Sequence, residues 1–207
     1  VAEELKLNGR AEAQLYEEVS VMFTDFADFT KFAEKLTARE LVLEIDTCFQ
    51  AFDEIINKYR LEKIKTIGDA YMCAGGLNRL GIGGPTAVVL AAIEMQEFIQ
   101  NRNLVQTTHN LSSFTMRVGI HTGPVVAGIV GLNKFQYDIW GDTVNVASRM
   151  ESTSKEGKIN IAENTYILIK DYFLCKYRGQ IEVKNKGCMK MYFVNSIKDR
   201  TIASMKF

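Results

Sequence analysis

The chain has 207 residues, 47% hydrophobic and 24% charged, which is enough for one globular domain with a true core. Its 25 Lys+Arg are balanced by 25 Asp+Glu. That balance leaves no net basic field to draw nucleic acid or an anionic membrane surface. No apolar run is long enough for a membrane span, which needs about 18 residues, and no secretory signal pattern is present.

Residues 1–17 are polar and charged and read as a linker or the end of an incoming helix that receives a signal from an upstream domain. The chain opens on Val1, which reads as a segment cut from a longer protein. Val19, Val21 and Phe23 alternate with Ser20, Met22 and Thr24 as in a strand, and Asp25 follows at once. Thr37-Ala38-Arg39-Glu40 is a capping box, so a helix follows, with apolar positions at Leu41, Leu43, Ile45, Phe49, Phe52, Ile55 and Ile56. Lys63 to Ile67 reads as a strand, Gly68-Asp69 as a two-residue hairpin turn, and Ala70 to Ala74 as the returning strand. A glycine-rich loop runs from Gly75 to Gly84, and Pro85 opens a second long helix through Ala91, Ile93, Met95 and Phe98.

Phe114 to Ile120 and Val125 to Val130 read as two further core strands. Phe135 to Trp140 is a short β-like run that Gly141 ends, and Asp142 or Thr143 can cap the helix beyond it. Then come a strand at Lys158 to Ile161, a helix at Ala162 to Lys170, and two late strands near Phe173–Tyr177 and Met191–Val194. The tail from Ile197 looks untethered. Strand, helix, strand, strand, helix, strand is the order of a ferredoxin-like α+β core: an antiparallel, palm-type sheet with helices on one face, here with a C-terminal strand and helix extension. Cys48, Cys73, Cys175 and Cys188 form no metal-binding spacing, and Cys48 and Cys73 read as buried thiols of a reducing, cytoplasmic compartment. Two histidines, His109 and His121, are too few for a His-rich metal site.

Several side chains could carry chemistry. Asp25 and Asp69 end or turn predicted strands, and strands about 5 Å apart could let the two carboxylates share one or two hard cations. Both are equally ordinary turn acids. Phe26, Ala27, Asp28, Phe29 and Thr30 run into a helix start, whose N–H groups can cradle phosphate, though Asp28 and Thr30 also suit plain capping. Asn145 and Arg149 stand four apart on one helix face, an amide and a planar cation suited to a reacting phosphate, or simply a solvated polar face. Lys65 is a charge between Ile64 and Ile67. Paired with Asp138, a Lys donor and an Asp acceptor match N1 and the N6 amine of adenine, whereas guanine presents the reverse.

Val21-Met22-Phe23-Thr24-Asp25-Phe26, Lys65-Thr66-Ile67-Gly68-Asp69-Ala70-Tyr71-Met72, Val118-Gly119-Ile120-His121-Thr122-Gly123, Gln136 to Glu151 and Val183-Lys184-Asn185-Lys186-Gly187 occur in that order. Together they resemble the catalytic domain of class III nucleotidyl cyclases over about residues 18–195, leaving 196–207 as a tail. The resemblance implies a homodimer in which each site takes its metal acids from one protomer and its base- and ribose-side residues from the other. Carried over, Asp25 and Asp69 would bind two Mg²⁺ or Mn²⁺ per site, with the Phe26 carbonyl as an extra ligand. Residues 26–30 would cradle the β- and γ-phosphates, and Lys186 would hold the terminal phosphates. Lys65 and Asp138, with Ile139 beside it, would bind adenine, Asn145 would orient the ribose, and Arg149 would stabilise charge at the α-phosphate.

Guanylyl members resemble this pattern but carry Glu and Cys where Lys65 and Asp138 stand, so the implied substrate is ATP and the product 3′,5′-cyclic AMP. The alternatives are a guanylate cyclase or a non-catalytic nucleotide-binding regulatory domain. Some members place an Arg on the triphosphate after the His-Thr/Ser-Gly run; here the residue is Pro124 and that contact is expected to be missing. The acceptor of the ribose proton stays open between Asp25, solvent and substrate.

Overall fold

A computed structural model describes residues 13–27, 29–34, 36–77, 83–108, 113–131, 135–183 and 187–198. Its centre is β1 (Gln14–Ala27), buried without a break from Val19 to Thr24. Such a run needs cover on both faces of the sheet. β1 pairs antiparallel with β3 (Ala70–Gly75) on one side and β4 (Thr115–Val130) on the other. β2 (Glu62–Ile67) returns onto β3 through the Gly68-Asp69 turn, where Gly68 takes φ 62. The sheet order is β2-β3-β1-β4-β6-β8-β7, with β5 (Gln136–Trp140) paired to β4 off that path. β6 (Ile159–Ala162), β7 (Phe173–Val183) and β8 (Gly187–Ile197) form the C-terminal extension, and β6 joins β4 in parallel. The expected ferredoxin-like arrangement is therefore present, with β1 and β4 as its central pair.

The helices divide between the two faces. A short α1 (Phe29–Ala33) follows β1. α2 (Ala38–Lys58) and α3 (Pro85–Thr108) cover one face, where Met22, Phe52, Tyr71, Met95 and Ile120 share a core. α5 (Glu163–Ile169) joins them through Ile169. The opposite face holds Val21, Phe23, Met72, Val125 and Ile139, and is closed by Ala147 of α4 (Asp142–Ser152). The ferredoxin helices thus lie on one face as expected, while α4 of the extension takes the other.

The capping box at α2 is formed in both directions. The Thr37 hydroxyl accepts from the Glu40 N–H at 3.3 Å, and the Thr37 N–H donates to Glu40 at 2.8 Å. Leu43 departs from expectation: it is 63% exposed, because the buried stripe runs through Cys48, Phe52, Ile55 and Ile56 and Leu43 falls off it. The two strands expected at 114–120 and 125–130 are one strand, β4. Pro124 does not break it, because the pairing with β1 slips between Tyr16 and Val19, so the missing N–H faces an irregular step. Gln14 to Tyr16, expected in a linker, already pair with Val125 to Ala127. Cys48 and Cys73 are buried free thiols, and burial raises Cys48 to about 12. Asp28, Lys186, residues 1–12, much of the glycine-rich loop and the tail from residue 199 lie outside the described residues. Among the described residues no helix is long and apolar enough to cross a membrane.

Candidate active site

Strand alternation puts Asp25 on the same face as Val21 and Phe23, the side that α4 covers. Directly across the ladder stands Arg117 of β4. Its Nη2 donates to Asp25 Oδ2, and its Nε donates to Glu151 Oε1 at 3.0 Å. Asp69, in the β2–β3 turn, lies close enough to Asp25 to feel its charge. Burial first, and the charge of Asp25 second, raise the Asp69 carboxyl above its ordinary value. Glu151 is raised by the same two causes in the same order. Three acids are thus gathered around one guanidinium.

This donor set fits a small hard cation. The charge of Asp25 helps to raise Asp69, and a divalent ion beside them would relieve that repulsion. Among the described residues no group of three or more His, Cys, Asp or Glu side chains is arranged to hold a metal by itself. Mg²⁺ commonly binds through one or two carboxylates and takes its remaining oxygens from substrate and water.

On the far side of the same face, the Lys65 Nζ donates to Asp138 Oδ2 at 2.5 Å. The other carboxylate oxygen, Oδ1, accepts from the Ile139 N–H at 2.9 Å, which fixes the plane of the group. Asp138 is largely enclosed, with 11% side-chain exposure, against 30% for Lys65. The pair joins β2 to β5, which share no ladder. The sequence linked these two residues only through their shared match to adenine, and the fold brings them into contact.

α4 is seated by close backbone contact. A Cβ at Gly119 would stand 1.9 Å from the Glu151 nitrogen, so only glycine lets the helix lie this near to β4. At the other end the Thr143 hydroxyl donates to the Pro124 carbonyl at 2.7 Å. Thr143 is therefore a clamp onto β4. Asp142 is not a cap either: the N-cap is Gly141, at φ 142, with no side-chain bond. Asn145 and Arg149 are exposed, and among the described residues neither side chain is bonded to another.

Arg149 and Glu151 are two residues apart, about 200° around a helix. Glu151 reaches inward to Arg117, so Arg149 and Asn145 point away from the Asp25–Asp69 pair of their own chain. Phe26 lies in an aromatic group with Phe29, Phe49 and Phe114 on the opposite face, leaving its backbone as the part available to the site. Arg117 and Glu151 were not singled out from sequence, since an acid and a base 34 positions apart have no local signature.

The model of the adenylate and guanylate cyclase catalytic domain matches residues 11–196. An adenylate cyclase of Mycobacterium tuberculosis is 41% identical over 195 residues, 94% of this chain and 43% of that protein. A receptor-type guanylate cyclase of Caenorhabditis elegans is 36% identical over 199 residues, 94% of this chain and 17% of that one. The crystal structure of the adenylyl cyclase CyaB from P. aeruginosa superimposes with a TM-score of 0.82 at 30% identity, covering 90% of this chain and 97% of that one. The chain belongs to the adenylate and guanylate cyclase catalytic domain family, the class III nucleotidyl cyclases. It spans less than half the length of the curated relatives it matches.

Proposed function

We propose that this domain is an adenylate cyclase, converting ATP to 3′,5′-cyclic AMP and pyrophosphate at sites shared between two copies of the chain. The observation that carries the substrate choice is the Lys65–Asp138 pair, a donor and an acceptor held side by side at 2.5 Å. Opened by a purine, Lys65 donates to adenine N1 and Asp138 accepts from the N6 amine, with Ile139 beside them. Guanine would set its O6 against a carboxylate.

Asp25 and Asp69, with the Phe26 carbonyl, hold two Mg²⁺ or Mn²⁺. Bound there, the cations supply activation of the ribose 3′-hydroxyl and charge neutralisation on the triphosphate. Residues 26–30 would face the β- and γ-phosphates, and Lys186 would take the terminal phosphates. Asn145 orients the ribose. Arg149 neutralises charge that builds on the α-phosphoryl group as the bond to pyrophosphate breaks, so it acts in the transition state and not as a base.

The outward direction of Arg149 and Asn145 supports a shared site. In a two-fold dimer each α4 would present them to the partner's acids, and both sites would be complete. Side-by-side assays with ATP and GTP in Mn²⁺ test this reading, and Arg149→Ala tests the role of the guanidinium. ATP should be preferred, and the variant should lose about 10²-fold in kcat while remaining folded. Preference for GTP, or unchanged kcat in the variant, contradicts it.

A further inference from the structure

Arg117 belongs to none of the roles above, yet it occupies one of the carboxylates assigned to the cations. Its fork is divided: Nη2 on Asp25 Oδ2, Nε on Glu151 Oε1. Glu151 is anchored by α4, whose backbone is pressed onto Gly119 two residues along β4. If the guanidinium lost Asp25 it would keep a charged partner, so releasing Asp25 does not strand a half-buried cation.

We propose that Arg117 is a counter-ion that competes with the divalent cation for Asp25, with Glu151 as the standing partner that receives it when the cation binds. This rests on the reading of Asp25 and Asp69 as metal acids. The physical argument is charge. Without a cation, Arg117 offsets part of the repulsion among Asp25, Asp69 and Glu151 and keeps the acids together. With a cation on Asp25, a unit positive charge and a divalent one sit a few ångströms apart and repel each other. At about 5 Å in water-like surroundings that repulsion corresponds to roughly tenfold in affinity. Arg117 therefore organises the empty site at the expense of cation affinity, and Glu151 limits that expense by drawing the guanidinium aside.

The sign separates this role from simple support. Were Arg117 a brace that holds Asp25 in a ligating pose, its removal would weaken cation binding; as a competitor, its removal strengthens it. The experiment is a Mn²⁺ titration of the 207-residue chain without nucleotide, followed by electron paramagnetic resonance of free Mn²⁺, with folding checked by circular dichroism. Wild type should bind and Asp25→Ala should lose binding; failure of that control overturns the metal-acid reading itself. Given the control, Arg117→Gln should bind Mn²⁺ about tenfold more tightly and Arg117→Lys, which keeps the charge, within about threefold of wild type. Glu151→Gln should bind a few-fold more weakly. Unchanged or weaker binding by Arg117→Gln overturns the proposal. If that variant does not fold, a crystal structure of wild type with Mg²⁺ and a non-reactive ATP analogue decides. Arg117 bonded to Glu151 alone supports the proposal, and Arg117 still bonded to Asp25 overturns it.

Discussion

Lys65 and Asp138 lie 73 positions apart in sequence and 2.5 Å apart in the fold, the ammonium of one on the carboxylate of the other. Each is the partner of the other while no base is present, and the Ile139 N–H keeps the Asp138 carboxylate in plane. On the adenine-reading proposal neither group would have to be recruited when a nucleotide arrives, because the donor and the acceptor already stand side by side.

Exchanging that pair should exchange the substrate. Lys65→Glu combined with Asp138→Cys replaces the adenine donor and acceptor by groups of opposite sense for the purine edge. We expect kcat/KM for ATP to fall by about 10²-fold or more, and GTP turnover to rise. Lys65→Ala alone leaves Asp138 an unpaired, enclosed carboxylate, and should cost about 1–3 kcal/mol of stability as well. Steady-state kinetics with both nucleotides and a urea melt separate the two effects.

Asp69 should make the cation-free domain less stable at neutral pH than its amide would. Its folded-state pKa is raised, by burial and by Asp25. A raised acid contributes stability that is complete below the unfolded value, about 3.9, and is lost as pH rises through the folded value. Asp69→Asn should therefore melt about 1–2 °C above wild type near pH 7.5 without metal, a modest shift because the site is partly open to water. The advantage should vanish as pH falls toward 4. Added Mg²⁺ should reverse the order, since wild type gains a ligand and the amide variant does not.

Gly119→Ala should disturb activity and stability together. A methyl group there collides with the backbone of Glu151 and Met150 rather than with a movable side chain tip. α4 has to lift from β4, at a cost of about 2–3 kcal/mol. Because α4 carries Asn145 and Arg149, kcat should fall even under conditions where the variant is fully folded. Thermal denaturation and turnover with saturating ATP check this.

The local devices were legible in the sequence. The Thr37–Glu40 capping box, the Gly68-Asp69 hairpin and the α4 face bearing Asn145 and Arg149 each follow from neighbours within four positions. What escaped were relations across the chain. The 3.6-residue period of α4 defines an apolar stripe, but not that the stripe meets the sheet face opposite α2 and α3. Residues 114–120 and 125–130 read as two strands because the step that lets one strand pass through Pro124 lies on β1. Asp142 and Thr143 looked like caps because their types favour that position, but the Thr143 hydroxyl is committed to the Pro124 carbonyl. Nothing local marks Arg117; only the ladder sets it opposite Asp25.

The most direct test of an adenylate cyclase with shared sites is complementation. Asp25→Ala and Arg149→Ala are each expected to be nearly inactive. Mixed in equal amounts and allowed to exchange, half of the dimers would be mixed, and each of those would contain one site with both halves intact. ATP turnover should then recover to about one quarter of wild type. If Asp25 and Arg149 served the same site within one chain, every site in the mixture would lack one or the other, and no recovery of cyclic AMP formation would be seen.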